Sequence, residues 1–418
     1  MHILIERLAF GGAGIGRDEG KVVFVRGGLP GDILKVRITK DKGKYAEAEI
    51  EDIVRPSLDR TEPLCPVFGK CGGCQWQHLS YSSQLKAKEN ILKETLERIG
   101  GIKDIEVDLI VPSPMHYGYR SRVTLSTWFH EGKRRVGYHQ ERSRVRIEIE
   151  GCPIAREQVD ETISRLSDSL SKTNSFRDPL KRLNIVSNDN RAFVTLVTPL
   201  GEDVRKFKSL RNYLKKSLGT EDIGMAGDEE PEFEFVILGL KFYCIPSVFI
   251  QANYEVSEQL TETLIEWADL GENERVLDLY SGIGNFSLHL AKRAKEVVGV
   301  DFSVKAVKLS EKSARANSIK NVAFDASPTE LFIEESVRRG DRVDLVVLDP
   351  PREGAMEILG GIAELSPERI IYVSCDPPTL ARDLKRLREL GYQLVRIRPF
   401  DMFPQTYHIE SLALLLKI

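Results

Sequence analysis

A chain of 418 residues, 41% hydrophobic and with a formal net charge of −3, is long enough for two to four domains with proper cores. Global charge gives no notice of a nucleic-acid partner, so any basic surface must be local. No apolar run reaches membrane-spanning length, Met1-His2-Ile3 lacks a signal-peptide pattern, and six cysteines, three of them clustered, argue for a metal site or a reactive thiol rather than disulfides. A cytoplasmic location without membrane contact is the expectation.

Residues 1 to about 57 read as short strands with turn signals. Val22-Val23-Phe24-Val25 precedes the turn Gly27-Gly28-Leu29-Pro30-Gly31-Asp32, and Ile33 to Ile38 and Tyr45 to Ile50 alternate apolar with polar residues. Strands this short and closely spaced suggest a small closed barrel of the oligonucleotide-binding type, with a purely structural β-domain as the alternative.

Cys65, Cys71 and Cys74 follow, with Gly72-Gly73 between the last two, and Cys152 lies far downstream. A tight triplet with a distant fourth thiol points to a metal site. Zinc ribbons bring two C-x-x-C pairs and only one occurs here. A [4Fe–4S] cluster tolerates a lone distant cysteine, and Gly-Gly lets amides approach its sulfurs. Spacing alone leaves both metals open.

Tyr81 to Ile99 has helical periodicity, with Leu85, Ile91, Leu92, Leu96 and Ile99 available for one face and Glu89 and Lys93 as a surface pair. From His116 to Arg146 the chain interleaves Arg120, Arg122, Lys133, Arg134, Arg135, Arg142, Arg144 and Arg146 with Tyr117, Tyr119, Trp128, Phe129 and Tyr138. Such interleaving suits single-stranded RNA, which needs cations for phosphates and flat faces for bases; a solvated strand face is the alternative. Residues 155 to 240 read as the rest of a central α+β domain, and Cys244, in an apolar run, as an inert core thiol.

From about Phe249 strands alternate with helices, and apolar runs end at Asp278, Asp301, Asp349 and Ser374-Cys375. In a doubly wound sheet these ends share one edge, where ligands bind. After Asp278 the chain turns through Gly282 and Gly284 into a helix, so its backbone can approach a ligand, and Asp301 is placed to bind ribose hydroxyls. The full G-x-G-x-x-G pattern is absent, which disfavours a pyrophosphate and favours S-adenosylmethionine. Asp349-Pro350-Pro351-Arg352 lacks the aromatic ring that amino-group methyltransferases carry after the prolines, which counts against methylation of an exocyclic amine.

Cys375 falls at a strand end before a helix starting near Thr379, a setting that favours the thiolate. A thiolate beside a methyl donor suggests covalent catalysis at uracil, whose carbon 5 becomes nucleophilic once sulfur adds at carbon 6. A base must then remove the carbon-5 proton, and the last loop offers His408 and Glu410. Gln393 to Ile397 and Ser411 to Ile418 suit an antiparallel finish to the sheet.

Over essentially its whole length the chain resembles the RNA uracil-5-methyltransferases, which make 5-methyluridine in ribosomal and transfer RNA. The resemblance rests on the N-terminal barrel, the four cysteines, Phe249-Ile250-Gln251-Ala252-Asn253 and Asp278-Leu279-Tyr280-Ser281-Gly282-Ile283-Gly284-Asn285-Phe286. It continues through Asp349-Pro350-Pro351-Arg352, Ser374-Cys375-Asp376-Pro377, Asp401-Met402-Phe403-Pro404-Gln405-Thr406 and His408-Ile409-Glu410. It implies a TRAM RNA-binding barrel over 1–57, a central α+β domain over 58–240 and an α/β, Rossmann-like methyltransferase domain over 241–418, on which the helix at 81–99 packs. Cys65, Cys71, Cys74 and Cys152 would hold a [4Fe–4S] cluster. Cys375 would be the nucleophile and Glu410 the base; Gln251, Tyr280, Asn285, Asp301 and Asp349, with the Gly282 backbone, would line the S-adenosylmethionine site.

Three positions depart from the family pattern: Asp301 stands for the usual Glu, Asp376 for the Asn after the nucleophile, and Pro328 for a polar residue that contacts adenine. Asp376 is expected to raise the thiol pKa, and adenine recognition would fall to Asp325, Ser327 or backbone groups. Members with both barrel and cysteines mostly modify ribosomal RNA, which favours 23S rRNA; archaeal relatives keep tRNA as an alternative. A non-catalytic RNA-binding factor on the same fold, or methylation of cytosine or an exocyclic amine, are the other readings. No obligate protein partner is expected.

Overall fold

The computed structural model describes residues 1–172, 176 and 180–418, so the stretch assigned above to a central domain contains six positions outside the description. At the N-terminus β1 (His2–Leu8), β2 (Gly14–Asp18), β3 (Lys21–Val25), β4 (Ile33–Asp41) and β5 (Tyr45–Arg55) close into a barrel of order β1-β2-β3-β5-β4. Alternation drives closure: Ile3, Ile5, Val23, Val25, Leu34, Val36 and Ala48 point inward and form its core, while intervening residues stay outside. Gly16 is required where β1 and β2 cross, since a Cβ there would lie 2.5 Å from the Leu4 carbonyl oxygen. Asp32 anchors the barrel to the following segment, its carboxylate accepting from Arg60 Nε at 2.8 Å and Nη2 at 2.6 Å.

Helix α1 (Tyr81–Thr95) continues as a wider turn over Leu96–Gly100 and stops at Gly101, whose φ is +63°. Its buried face differs from the apolar stripe in the sequence. Ile91, Leu92 and Leu96 are buried, but Ile99 is exposed and Leu85 half-buried, while Gln84 and Lys88 are fully enclosed. The helix packs on a polar loop, and its polar residues satisfy that loop. Lys88 Nζ donates to Asp401 Oδ1 at 2.5 Å and to the Phe403 carbonyl at 3.0 Å. Glu89, expected to pair with Lys93, accepts from the Ile110 N–H at 2.8 Å. Lys88→Met leaves the Asp401 carboxylate buried and uncompensated, so it should destabilise the protein by about 3–5 kcal/mol in denaturant titration. Adding Asp401→Asn should recover part of that loss.

The central region forms one six-stranded sheet of order β11-β10-β9-β6-β7-β8, from β6 (Arg122–His130), β7 (Lys133–His139), β8 (Arg146–Glu148), β9 (Arg182–Ser187), β10 (Ala192–Val197) and β11 (Ile223–Met225). α2 (Glu157–Ser171) and α3 (Lys208–Leu218) bury their apolar stripes on it through Val159, Ile163, Leu166, Leu210 and Leu214. A hairpin, β12 (Phe233–Ile237) and β13 (Leu240–Cys244), joins this sheet to the C-terminal unit through Phe233, Phe235 and Phe242. Cys244 is buried there, and that burial pushes its thiol up to about 12.

The C-terminal sheet runs β16-β15-β14-β17-β18-β20-β19, from β14 (Arg275–Leu279), β15 (Glu296–Val300), β16 (Val322–Asp325), β17 (Leu345–Leu348), β18 (Arg369–Ser374), β19 (Tyr392–Phe400) and β20 (Glu410–Lys417). β20 is antiparallel to both neighbours and the other pairings are parallel. Both faces are covered, which is why these strands read as continuous apolar runs. Leu277, Val346, Leu348, Ile370 and Tyr372 join one core with α8 (Leu359–Leu365), α9 (Pro377–Glu389) and Leu92 and Leu96 of α1. Val276, Val297, Leu345, Val347 and Ile371 face the other, with α4 (Tyr254–Ala268) and α5 (Asn285–Ala291). The sheet is thus Rossmann-like, completed on one face by a helix from far upstream. Two more helices, α6 (Val304–Ala316) and α7 (Thr329–Arg339), complete the crossovers. No helix among the described residues is long and apolar enough to cross a membrane.

Candidate active site

The loop after β14 is closed by its own polar groups. Tyr280, Gly282 and Gly284 all have positive φ, at +61°, +55° and +80°. Gly284 is constrained by packing, because a Cβ would meet the Phe324 ring at 2.9 Å; a Cβ on Gly282 would meet nothing within 4 Å, so space lies open above it. Asp301, buried at the end of β15, accepts from the Gly282 N–H at 2.9 Å and the Ser303 N–H at 2.8 Å. Each carboxylate oxygen accepts more than one bond, so Asp301 shapes the loop and retains acceptor capacity towards a diol.

Around this loop, buried polar atoms lack partners. Asp278 Oδ1, Ser281 Oγ, Asn285 Oδ1 and Ser327 Oγ are all enclosed and unpaired. Buried polar groups are ordinarily satisfied, so a cluster of exceptions fits a polar ligand such as the expected nucleoside. Asn285 is held by its amide, which donates to Thr261 Oγ1 at 3.1 Å. Tyr280 is half-buried, its phenol pushed up to about 12 chiefly by burial. Gln251 is half-buried two residues ahead of Asn253, which caps α4 through the Val256 N–H. At the departure from the family pattern, Pro328 occupies the cap position of α7 and the Asp325 carbonyl accepts from the Asp301 N–H at 3.1 Å, which leaves Ser327 with the unpaired hydroxyl.

The strand register gathers the remaining groups. Ser374 of β18 faces Ser411 of β20, and Cys375 and Glu410 are the next residues on the two chains, near enough for Glu410 to raise the thiol. Leu348 of β17 pairs with Tyr372, and Asp349 follows it onto the same edge. Four acids, Asp278, Asp349, Cys375 and Glu410, stand across neighbouring strands, and each is made weaker by burial and by a neighbouring carboxyl group. Burial pushes Asp278 up to about 7, with Asp301 adding to it, and burial pushes Asp349 up to about 7, with Asp278 adding. Glu410 is raised well above the usual carboxylate range by burial and then Asp349. Cys375 is pushed up to about 12 by burial, then Glu410 and Asp349.

The thiol thus differs from the expectation of a helix-stabilised thiolate. α9 does begin just beyond it, but Asp376 caps that helix through the Thr379 N–H at 3.0 Å, and burial, Glu410 and Asp349 raise the thiol. Asp376 itself raises the thiol less than Glu410 or Asp349 does. Arg352 is the counterweight, lowering both Cys375 and Glu410. Nothing in the local sequence except its position after the two prolines marks it out. His408, the other base considered, is held neutral, pushed down to about 4 by burial and then Arg352, and its ring lies 4.3 Å from that of Tyr407.

Cys65, Cys71, Cys74 and Cys152 are brought near one another from separate segments, all half-buried. Burial raises Cys71, and its Cys152 and Cys65 neighbours raise it further; burial pushes Cys74 up to about 12, with Cys152 and Cys71 adding. The Gly73 N–H donates to Cys71 Sγ at 3.4 Å. Among the described residues no three His, Cys, Asp or Glu side chains are grouped closely enough to hold a single metal ion. A cleft of about 1030 Å³ opens between this segment and the barrel, lined by Phe10, Phe24, Tyr45, Arg60, Lys70 and Arg142 among others.

The basic and aromatic stretch after His116 divides. Tyr119 and Arg134 are buried, Tyr119 donating its hydroxyl to the Pro404 carbonyl at 3.0 Å and Arg134 lying over Phe129 at 4.5 Å. Arg120 and Arg122 lie over Phe403 and Phe249, each at 5.9 Å. Lys133, Arg142, Arg144 and Arg146 stay exposed.

A sequence model of the family described as tRNA (Uracil-5-)-methyltransferase matches residues 80–418, and one of the TRAM domain matches residues 1–50. The chain is 36% identical to a 23S rRNA (uracil(1939)-C(5))-methyltransferase of Aeromonas hydrophila, over 96% of this chain and 92% of the relative. It is 37% identical to the enzyme of that description from Aeromonas salmonicida, over 96% and 93%. Its structure superposes on that of Pyrococcus abyssi tRNA (uracil-54, C5)-methyltransferase in complex with S-adenosyl-L-homocysteine, with a TM-score of 0.73 at 26% identity and 100% of each chain covered. The loop, the strand-edge acids and these likenesses agree: the chain belongs to the RNA uracil-5-methyltransferase family and carries an N-terminal TRAM domain.

Proposed function

We propose that this protein methylates carbon 5 of a uridine in 23S rRNA, with S-adenosylmethionine as donor and Cys375 as a covalent nucleophile. The observation that supports the proposal is the β18–β20 register: its last pair is Ser374 and Ser411, and Cys375 and Glu410 are the next residues beyond it on the edge bearing the glycine loop. S-adenosylmethionine supplies an electrophilic methyl group when bound, and the residues to hold it are Gln251, Tyr280, Gly282, Asn285, Asp301 and Asp349. The donor is a cation, and the crowded acids beside the loop fit one: a positive charge there favours ionisation of Asp278, Asp349, Glu410 and Cys375 together.

Cys375 loses its proton to solvent, and its sulfur bonds to carbon 6 of uracil as the ring double bond shifts its electrons towards carbon 5 and the 4-oxygen. The methyl that the donor would supply bonds to carbon 5 as its bond to the donor sulfur breaks, the electron pair staying on sulfur to leave neutral S-adenosylhomocysteine. Glu410 takes the carbon-5 proton, the electron pair restores the double bond, and the carbon–sulfur bond breaks to release Cys375. Arg352 stabilises the anionic forms of both groups.

The RNA surface in this reading combines the barrel cleft with the exposed Lys133, Arg142, Arg144 and Arg146. The division adopted is a barrel at 1–57, a central domain at 58–240 and a catalytic domain at 241–418, with the β12–β13 hairpin crossing the second boundary and α1 belonging by packing to the catalytic domain. Mapping 5-methyluridine in cells with and without the protein should show 5-methyluridine missing from 23S rRNA. Loss confined to tRNA would move the substrate to the class of the Pyrococcus neighbour.

The cysteine set is proposed to hold a [4Fe–4S] cluster. A tight triplet with one distant thiol suits a cluster, which binds each thiolate through a different iron, and Cys152 lies near enough to raise both Cys71 and Cys74. Anaerobically purified protein should be brown and contain iron and sulfide, and Cys74→Ser should lose both. Colourless protein with stoichiometric zinc would overturn the assignment.

A further inference from the structure

Every polar group of Gln405 is engaged, with several separate parts of the chain. Its N–H donates to Gln84 Oε1 at 2.9 Å, while its Oε1 accepts from Gln84 Nε2 at 3.0 Å. Its Nε2 donates to the His116 carbonyl at 3.2 Å, and its own carbonyl accepts from the Gln75 and Trp76 N–H groups at 3.1 and 3.0 Å. Gln405 is 3% exposed and has a φ of +68°, a left-handed conformation unfavourable for a residue with a Cβ. Such a conformation persists only where its surroundings over-determine it.

The surrounding loop is pinned in the same manner. The Met402 carbonyl accepts from Asn253 Nδ2 at 3.3 Å, the Phe403 carbonyl from Lys88 Nζ at 3.0 Å, and the Pro404 carbonyl from the Tyr119 hydroxyl at 3.0 Å. This loop joins Phe400 to Glu410, which face each other across β19 and β20. Beyond Gln405 it tightens further, with the Thr406 hydroxyl donating to the Phe403 carbonyl at 2.8 Å and accepting from the His408 N–H at 3.2 Å. Cys375 sits elsewhere, between β18 and α9.

We infer that Gln405 is a positioning residue for Glu410. By locking the loop in its left-handed turn it fixes where β20 begins and hence where the Glu410 carboxylate points. It serves proton removal and release far more than the addition of Cys375 to the ring. It also joins the catalytic end of β20 to the residues that immediately follow Cys74. The inference rests on the covalent route proposed above.

The test compares wild type, Gln405→Ala and Gln84→Ala in two assays with donor present. Adduct formation on 5-fluorouridine RNA reports addition and methyl transfer, since fluorine cannot leave carbon 5 as a proton. Turnover of ordinary uridine RNA adds proton removal and release. A carboxylate displaced by about 1 Å costs on the order of 10²-fold, so Gln405→Ala should slow turnover by about that factor and accumulate methylated protein–RNA adduct. Its rate on 5-fluorouridine RNA should stay within about threefold of wild type. Gln84→Ala, which leaves the loop sequence intact, covers the case in which Gln405→Ala does not fold, and should shift the two rates in the same unequal way. Equal slowing in both assays, or no slowing, would overturn the inference. Wild type that forms no fluorouridine adduct would overturn the covalent route itself.

Discussion

Cys375→Ala forms no adduct with 5-fluorouridine RNA and makes no detectable 5-methyluridine, while its fold and RNA affinity stay close to those of the wild type. Carbon 5 of uracil is too weak a nucleophile to take a methyl group unless sulfur has first added at carbon 6. Deleting the nucleophile therefore removes the reaction's first bond, a loss on the order of 10⁴- to 10⁶-fold by comparison with other covalent enzymes. The thiol is half-buried and lies just beyond β18 at the sheet edge, so the smaller side chain leaves little cavity and costs little stability. Denaturing gels of protein with 5-fluorouridine RNA and donor give the readout, and an adduct that survives the substitution would refute the assignment.

The same thiol sets a pH dependence. Because Cys375 is pushed up to about 12 by burial, then Glu410 and Asp349, it is protonated at neutral pH in the free protein. Below the thiol pKa the thiolate fraction rises about tenfold per pH unit, so wild-type adduct formation should rise with that slope between neutral and mildly alkaline pH. Saturating donor brings a positive charge to the site and should move the start of the plateau to lower pH. A flat profile would mean that thiol ionisation does not limit addition.

Where the chain follows a simple period, its sequence already discloses the architecture. The barrel strands alternate strictly, and Asp278, Asp301, Asp349 and Cys375 fall at the ends of apolar runs because a sheet buried on both faces leaves only its strand tips for polar chemistry. The polar interior of α1 could not be read that way. Gln84 and Lys88 look like surface residues on an amphipathic helix, and their burial depends on Gln405 and Asp401, more than 300 positions downstream. Arg352 was hidden for a related reason: its charge acts on Cys375 and Glu410 through the fold, and only the strand order brings them together. The helix that starts beyond Cys375 is visible in the sequence, whereas enclosure of the thiol beside Glu410 and Asp349 is not.

Glu410→Gln should separate methyl transfer from release. Glutamine has nearly the same shape, so β20 and its pairing with β18 and β19 should survive, and with them the approach of uracil to Cys375. A carboxamide cannot accept the carbon-5 proton, so ordinary uridine RNA should be attacked and methylated and then remain bound through sulfur, with turnover reduced on the order of 10²- to 10⁴-fold. The neutral side chain also removes the strongest of the charges that raise the Cys375 thiol, so adduct formation should begin at lower pH than in the wild type even as release fails. Mass spectrometry of the intact complex, with isotopically labelled donor, distinguishes a methylated adduct from an unmethylated one. An unmethylated adduct would place Glu410 before methyl transfer. Free 5-methyluridine at the wild-type rate would assign proton removal to another group. His408 is the nearest candidate in the sequence, and being held neutral, with its pKa pushed down to about 4 by burial, it is able to accept a proton but is a weak base. The proposed route requires the outcome in which methyl, uracil and Cys375 are found joined.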